Sequence, residues 1–343
     1  MLVQTIPAYR LPREILAREI RMIEGLGVTI ETGKKLGRDF TLQSLKDQGY
    51  EAVFIGVGAP KGVQLKLKGS EAKDVVDALN FLRTYNLRGS VPVRKRIVVI
   101  GGGNAAIDAA RTALRLGAEK VEVIYRRTQE EMPAYTEEIE QAIDEGIVLH
   151  TLTNPVEILT KDNKVSGVVC NAMRLGIFDA SGRRRPESNE DTFVLDTDQV
   201  IMAVGQTLDC KEIVGEIKLT TLKNDSMIYA NPINGQTSVP WIFSGGDAVT
   251  GPLSVITAVS SGEKAAIGMD EMLTGSQHAF WRTEKVNDTF FNPEAEPLMT
   301  PRQPIGLLDT NRRKHNFDEV ELNWIEKDAV LQAKRCLRCD YGK

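Results

Sequence analysis

The chain has 343 residues, 42% of them hydrophobic and 26% charged, with a formal net charge of −4. That balance fits a globular protein with a substantial core, expected as two lobes, and the small negative charge argues against nucleic acid as the main partner. No apolar run approaches the roughly 18 residues of a membrane span, the N-terminus lacks a signal-peptide layout, and four unevenly placed cysteines make no secreted disulfide framework, so the expected compartment is the cytoplasm.

Leu11-Pro12-Arg13-Glu14 opens a helix expected to run to about Leu26, with Ile15, Ile20, Ile23 and Leu26 on its apolar face and Gly27 as its stop. Val28 to Glu31 reads as a strand, Thr41 to Lys46 as a short helix, and Ala52 to Val57 as a buried strand ending in Gly56-Val57-Gly58-Ala59-Pro60. Charged, irregular sequence follows those glycines instead of a helix. They are therefore read as a crossing between lobes, not as a nucleotide-binding turn.

The stretch Arg96 to Arg127 is the most informative. Ile97 to Ile100 is a short β-branched run, the pattern of a strand buried on both faces of a parallel sheet. Gly101-Gly102-Gly103 interrupts it, Asn104 to Leu116 carries Ala and Leu at helical spacing up to Gly117, and Val121 to Tyr125 resumes a β pattern. Within this βαβ unit Gly101, Gly103 and Ala106 fit G-x-G-x-x-A, with Asn104 and Ala105 opening the helix. The first glycine permits the tight turn, the second lets the backbone approach a pyrophosphate, and the small third residue lets helix and strand pack closely. The helix N-terminus then offers free N–H groups and a positive dipole end to the phosphates. After the second strand Arg126 and Arg127 stand where a cofactor without a 2′-phosphate is usually held by an acid. A basic pair suits NADP(H), while Glu130 and Glu131 close behind leave NAD(H) as the alternative.

Farther on, Gln199 to Val204 is a second strand-plus-glycine element, closed by Gly205, which is counted among the candidate cofactor contacts. The chain is expected to leave one domain near Gly58 and return near Gly205. Between them a polar hairpin contains Arg183-Arg184-Arg185, read as a solvated loop and not as an anion site. In Pro240 to Ala266, Trp241-Ile242-Phe243 is a buried strand, Gly245-Gly246-Asp247 a sharp turn ending in a carboxylate, and Ser254 to Ile267 a helix rich in small residues. An acid after a glycine turn can accept hydrogen bonds from sugar or ribityl hydroxyls, and the following helix N-terminus can stabilise negative charge on an electron-rich ring. Cys170 and Cys210 are isolated and read as buried small residues. Cys336 and Cys339 form a terminal C-x-x-C after a helical stretch from Trp324 to Arg335, suited to half an iron–sulfur site, half a zinc site or a free or disulfide pair.

These segments, GGGNAAIDAARTALRLGA, YRRTQEEMPA and IFSGGDAVTGPLSVITAVSSGEKAA, together with IPAYRLPREIL near the N-terminus, resemble the glutamate synthase small-subunit family. That group includes the flavin domain of dihydropyrimidine dehydrogenase and the large subunit of NADH-dependent ferredoxin:NADP transhydrogenase. The resemblance covers roughly residues 6 to 272. It implies an α/β fold of two Rossmann-like dinucleotide-binding domains, with the nicotinamide domain inserted in the FAD domain. Gly101, Gly103, Asn104, Ala105 and Ala106 would hold the pyrophosphate of NAD(P)(H), with Arg126 and Arg127 at the adenosine ribose. Gly246 and Asp247 would meet the ribityl-phosphate side of FAD, and Thr257 and Ala258 the flavin ring. Family members begin with a strand and G-x-G-x-x-G for the ADP half of FAD. No such segment precedes Ile6, so a longer reading frame or a separate chain is expected to supply it.

The expected partition is a partial FAD domain in residues 1–88, a nucleotide domain in 89–205, a return to the FAD domain in 206–276 and an extended C-terminal arm in 277–343 that carries the C-x-x-C. The expected function is an electron-transfer flavoprotein subunit that oxidises or reduces NAD(P)(H) through FAD and exchanges electrons with iron–sulfur centres of a hetero-oligomeric complex. A cluster at Cys336 and Cys339 would be shared with redox partner subunits. Electron bifurcation is the more specific form of this reading, and a non-catalytic structural or nucleotide-sensing subunit is the alternative. Hydride passes directly from nicotinamide to flavin in such proteins, so no catalytic acid or base is expected.

Overall fold

The computed structural model describes residues 1–178, 182–215, 217–279 and 301–334. In chain order it contains α1 (Arg13–Gly25), α2 (Leu42–Asp47), β1 (Val53–Ile55), β2 (Lys61–Gly62), β3 (Val75–Asp77), α3 (Ala78–Arg88), β4 (Arg96–Ile100), α4 (Asn104–Arg115) and β5 (Lys120–Ile124). Next come α5 (Thr136–Asp144), β6 (Val148–His150), β7 (Thr153–Lys161), β8 (Lys164–Phe178), β9 (Arg184–Asp196), β10 (Gln199–Met202) and β11 (Gln206–Thr207). The remainder is α6 (Lys211–Val214), β12 (Thr221–Leu222), β13 (Met227–Ile228), β14 (Ile242–Ser244), α7 (Asp247–Thr250), α8 (Val255–Thr274), β15 (Gly306–Leu307), α9 (Thr310–Arg313), β16 (Glu321–Leu322) and α10 (Glu326–Lys334).

A five-stranded parallel sheet of order β3-β10-β4-β5-β6 forms the centre of the nucleotide unit. Its inner strands are apolar throughout because both faces are covered, and alternation sorts their side chains. Ile97, Val99, Val121, Val123 and Ile201 face helices α3, α4 and α5 in one core. Val98, Ile100, Ile124, Val200 and Met202 face Ile158, Val168 and Cys170 of the antiparallel sheet β7-β8-β9 in another. One βαβ unit is thereby sandwiched between a helical layer and a second sheet.

Beyond this unit, β1 and β14 pair in parallel, and Ile55, Ile228 and Ile242 centre a third core. Between the two parts β2 and β11 run antiparallel, and the Val63 amide donates to the Gly205 carbonyl at 3.0 Å. The two glycine-ended elements thus meet at a two-strand crossing. β3 pairs with β10 within the nucleotide sheet, so Val75–Arg88 joins that sheet and its helical layer, upstream of the expected boundary at residue 88.

Several expectations are corrected. Val28 to Glu31 is not a strand; Val28 and Ile30 are exposed and no neighbouring strand offers them a ladder among the described residues. α8 continues past Ile267 to Thr274, where Gly275 at φ +78° closes it. The segment from 301 does not extend away. The ring of Phe317 stacks on Tyr85 of α3 with centroids 4.5 Å apart, and Arg313 of α9 is 2% exposed against α5. Burial of Arg313 and stacking of the half-buried Phe317 against the helical layer turn this part of the arm into packing.

Arg313 belongs to a buried ionic cluster. Glu145, at the end of α5, accepts from Arg111 and Arg115 of α4 and from Arg313. Arg10 bridges Asp108 of α4 and Glu138 of α5, each at 2.9 Å. The Tyr9 ring lies under the Arg115 and Arg111 guanidiniums at 4.1 and 4.8 Å. The Ile6-to-Leu16 segment therefore packs Tyr9 and Arg10 onto the outer face of the nucleotide helix.

Candidate functional site

Where β4 ends, the chain turns through three glycines into α4, each with a distinct cause. Gly101 has φ +143°, which L side chains rarely adopt, and a Cβ there would run into the Ala203 carbonyl oxygen. A Cβ on Gly102 would lie 2.5 Å from the Tyr125 ring. At Gly103 it would meet no atom within 4 Å, so the protein's own packing does not demand glycine at this position. Gly103 caps α4 without a side-chain bond, and the leading amides of a helix have no intrahelical acceptor. The turn lies at the C-terminal ends of parallel strands, where open α/β sheets bind ligands. These features fit a dinucleotide pyrophosphate.

Around the turn, Ala106 is fully buried and lets α4 approach the sheet, and Ala105 is partly exposed on the first turn. Asn104 Oδ1 accepts from the Tyr135 amide at 3.1 Å, and the Ala134 amide donates to the Gly102 carbonyl at 3.1 Å, tying the loop after β5 to the glycine turn.

The basic pair after β5 is split. Arg126 is exposed, whereas Arg127 is 5% exposed and donates from Nε to the Arg184 carbonyl at 2.8 Å. The hairpin tip that sequence reasoning assigned to solvent is docked here. Arg183 Nη2 donates to Tyr125 Oη at 3.0 Å and to the Glu131 carbonyl at 2.7 Å, and Tyr125 Oη itself donates to that carbonyl at 2.9 Å. A cavity of about 740 Å³ opens between Thr128, Glu130 and Glu131 on one side and Phe178, Arg183 and Arg184 on the other. A second, of about 570 Å³, shares Thr128 and Glu130 and is walled by Ile143, Ile147 and Leu149. Sequence reasoning missed Arg183 and Tyr125. The available signal was the hairpin itself, whose second strand opens at its arginine run.

On the other side of the β2/β11 crossing, Ser244 Oγ donates to the Ile55 carbonyl at 2.9 Å and fixes β14 against β1. A Cβ on Gly245 would lie 2.8 Å from Ser261 of α8. Gly246 has φ +62° and ψ −153°, a conformation open to glycine. The Asp247 carboxylate accepts from the Leu253 amide at 3.2 Å, and burial raises its pKa above the usual range. Ser254 caps α8 by accepting from the Thr257 amide. The Cβ of Ala258 would sit 3.4 Å from one added at Gly246. Gly246, Asp247, Thr257 and Ala258 thus come together, while Gly205 stands apart in the crossing. Exposed Val255, Ile256 and Val259 give this end of α8 an apolar surface. The set fits the ribityl and ring side of a flavin. Between a strand and a helix, G-x-G-x-x-A occurs among the described residues at Gly101–Ala106 alone.

Cys170 and Cys210 are free and buried, and burial pushes the Cys170 thiol up to about 12. No group of three or more His, Cys, Asp or Glu side chains that could hold a metal occurs among the described residues. Cys336 and Cys339 lie outside them. No described helix is long and apolar enough to cross a membrane.

Known proteins agree with this architecture. The chain is 37% identical over 353 residues to the NADP(+)-dependent formate dehydrogenase subunit beta of Moorella thermoacetica, covering 99% of this chain and 49% of that protein. It is 36% identical over 279 residues to the glutamate synthase [NADPH] small chain of Escherichia coli, covering 77% of this chain and 59% of that one. The chain thus spans about half the length of these relatives. Mycobacterium tuberculosis FprA in complex with NADPH shares the fold, with a TM-score of 0.66 at 18% identity over 80% of this chain and 75% of that one. The fold is accordingly the α/β type with two dinucleotide-binding domains. The family described as pyridine nucleotide-disulphide oxidoreductase matches residues 4–262, and the chain belongs to it.

Proposed function

We propose that this chain is the nicotinamide-nucleotide and flavin-contacting part of a cytoplasmic electron-transfer flavoprotein subunit. It exchanges a hydride with NAD(P)(H) and passes electrons to or from iron–sulfur centres of a larger complex. The observation that carries this reading is the glycine turn before α4, whose first two positions are dictated by the protein's own packing and whose third is left bare. In this reading Gly101, Gly103, Asn104, Ala105 and Ala106 hold the pyrophosphate at the α4 N-terminus, and Arg126 lies at the adenosine ribose. Gly246 and Asp247 meet the ribityl-phosphate side of FAD, and Thr257 and Ala258 meet its ring. Bound FAD supplies the hydride acceptor.

The protein's part is alignment and exclusion of water, so no side chain is asked to carry a proton. The Leu253 amide holds one Asp247 oxygen, which orients the carboxylate to accept hydroxyls with the other. The nucleotide domain then begins near β3, after the β2/β11 crossing, with Cys336 and Cys339 offered to a shared cluster. The names of the Moorella and Escherichia relatives support NADP(H) as the nucleotide and a place in a multi-subunit enzyme.

The test is purification of the protein with its natural partners, followed by anaerobic addition of NADPH or NADH. Flavin absorbance that bleaches on addition is expected, faster with the physiological nucleotide. Preparations without flavin would overturn the reading.

A further inference from the structure

We propose that the tip of the β8–β9 hairpin, through Arg183 and Arg184, joins Arg126 in binding the adenosine 2′-phosphate of NADP(H). Discrimination between NADP and NAD is then made by two elements far apart in sequence. This rests on the reading of Gly101–Ala106 as the nicotinamide-nucleotide site.

The loop after β5 does not supply the site alone. Of its two arginines, Arg126 is exposed and Arg127 is buried, with Nε on the Arg184 carbonyl. That same contact draws the hairpin tip to the strand end. There Arg183 and Arg184 line the cavity of about 740 Å³ together with Thr128, Glu130 and Glu131. The placement is held from both directions: Arg183 Nη2 donates to Tyr125 Oη and to the Glu131 carbonyl, and the Tyr125 ring covers the position where Gly102 would carry a Cβ. A single side chain therefore separates the glycine turn from the Arg183 guanidinium. In this fold the adenosine end of the nucleotide lies at the end of the second strand, which is where these groups converge. A guanidinium presents five N–H donors in a planar fork that matches phosphate oxygens. Tyr125 is a positioning residue here, since it holds Arg183 and need not touch the ligand.

The experiment is isothermal titration calorimetry of the full chain with two probes, 2′,5′-ADP and ADP, which differ at the 2′-phosphate. Wild type is expected to prefer 2′,5′-ADP. Arg183→Gln and Arg184→Gln are each expected to weaken 2′,5′-ADP by about tenfold or more, the size of a lost charge-assisted hydrogen bond, with ADP unchanged. Tyr125→Phe is expected to weaken 2′,5′-ADP less and to spare ADP. Thermal melts of each variant identify any loss caused by misfolding, and the exposed Arg184, whose guanidinium donates to the Gly176 and Leu175 carbonyls of its own hairpin, provides a variant away from the nucleotide sheet. Equal weakening of both probes, or no weakening in folded Arg183→Gln and Arg184→Gln proteins, overturns the proposal. A wild-type preference for ADP overturns it too, while leaving the nucleotide site intact. Failure of wild type to bind either probe overturns the nucleotide site itself.

Discussion

Glu145→Gln is the perturbation most directly priced by the structure. The Glu145 side chain is 0% exposed, and five N–H groups converge on its two oxygens. Arg111 and Arg115 each contribute two, at 2.6 to 3.1 Å, and Arg313 contributes one at 3.1 Å. Burial alone would raise the carboxyl pKa, but hydrogen bonds from Arg115 and Arg111 hold it below the usual range, which marks the ionised form as the one the fold selects. Glutamine keeps the volume, removes the charge and replaces one acceptor with an NH2 facing guanidinium donors. Removing one partner of a buried pair costs about 3–5 kcal/mol, because the charges left behind stay desolvated. The loss should appear as a lower urea midpoint with an unchanged slope, followed by circular dichroism. Limited proteolysis should cut residues 301–320 sooner, since Arg313 loses its buried carboxylate partner and keeps the longer contacts to Asp144 and the Gln141 carbonyl. A loss below about 1 kcal/mol, the range of surface pairs, would refute the claim that charge at Glu145 organises the cluster.

Burial pushes the Asp108 carboxyl up to about 6, against the pull of Arg10, so its contribution favours the fold below the unfolded value of 3.8 and is lost as pH rises through about 6. The stability of wild type relative to Asp108→Asn should therefore fall by about 2 kcal/mol between pH 4 and 7, read from urea midpoints at each pH; a flat difference would contradict it. Gly103→Val should leave the melting temperature within about 2 °C and weaken nicotinamide nucleotide binding by about tenfold or more, whereas Gly101→Val should destabilise the fold by about 2 kcal/mol or more. Equal melting temperatures for the two variants would show that the glycines do not differ in role. With iodoacetamide at pH 8, Cys170 and Cys210 should be modified only after unfolding, because both are buried and their thiol pKa values are raised. Mass spectrometry that finds them labelled in native protein would contradict their burial.

What the sequence made legible was local. Arg96 to Arg127 carries its strand, turn and helix signals within one contiguous stretch, so β4, the glycine turn and α4 could be placed from periodicity and backbone freedom. The ionic cluster was not legible, because Arg10, Arg111, Glu145 and Arg313 are dispersed over most of the chain and each looks like an ordinary surface charge in a sequence that is 26% charged. Arg183 failed for a related reason: its partner Tyr125 is 58 residues away, and a polar hairpin without a visible partner reads as solvated. Val28 to Glu31 shows the converse error. Its composition suits a strand, but a strand also needs a neighbour to pair with, and composition does not provide one.

The anchoring of Arg313 and Phe317 also alters where this chain can be divided. The Val320 amide donates to the Tyr9 carbonyl, so residues near both ends of the described chain are joined over the helical layer. A truncation placed ahead of residue 301 would leave Glu145 with two guanidiniums instead of three and strip cover from Tyr9 and Tyr85. Such a cut would remove wall from the nucleotide unit instead of trimming a tail from it. A minimal nucleotide-binding fragment therefore has to be assembled from two stretches of chain.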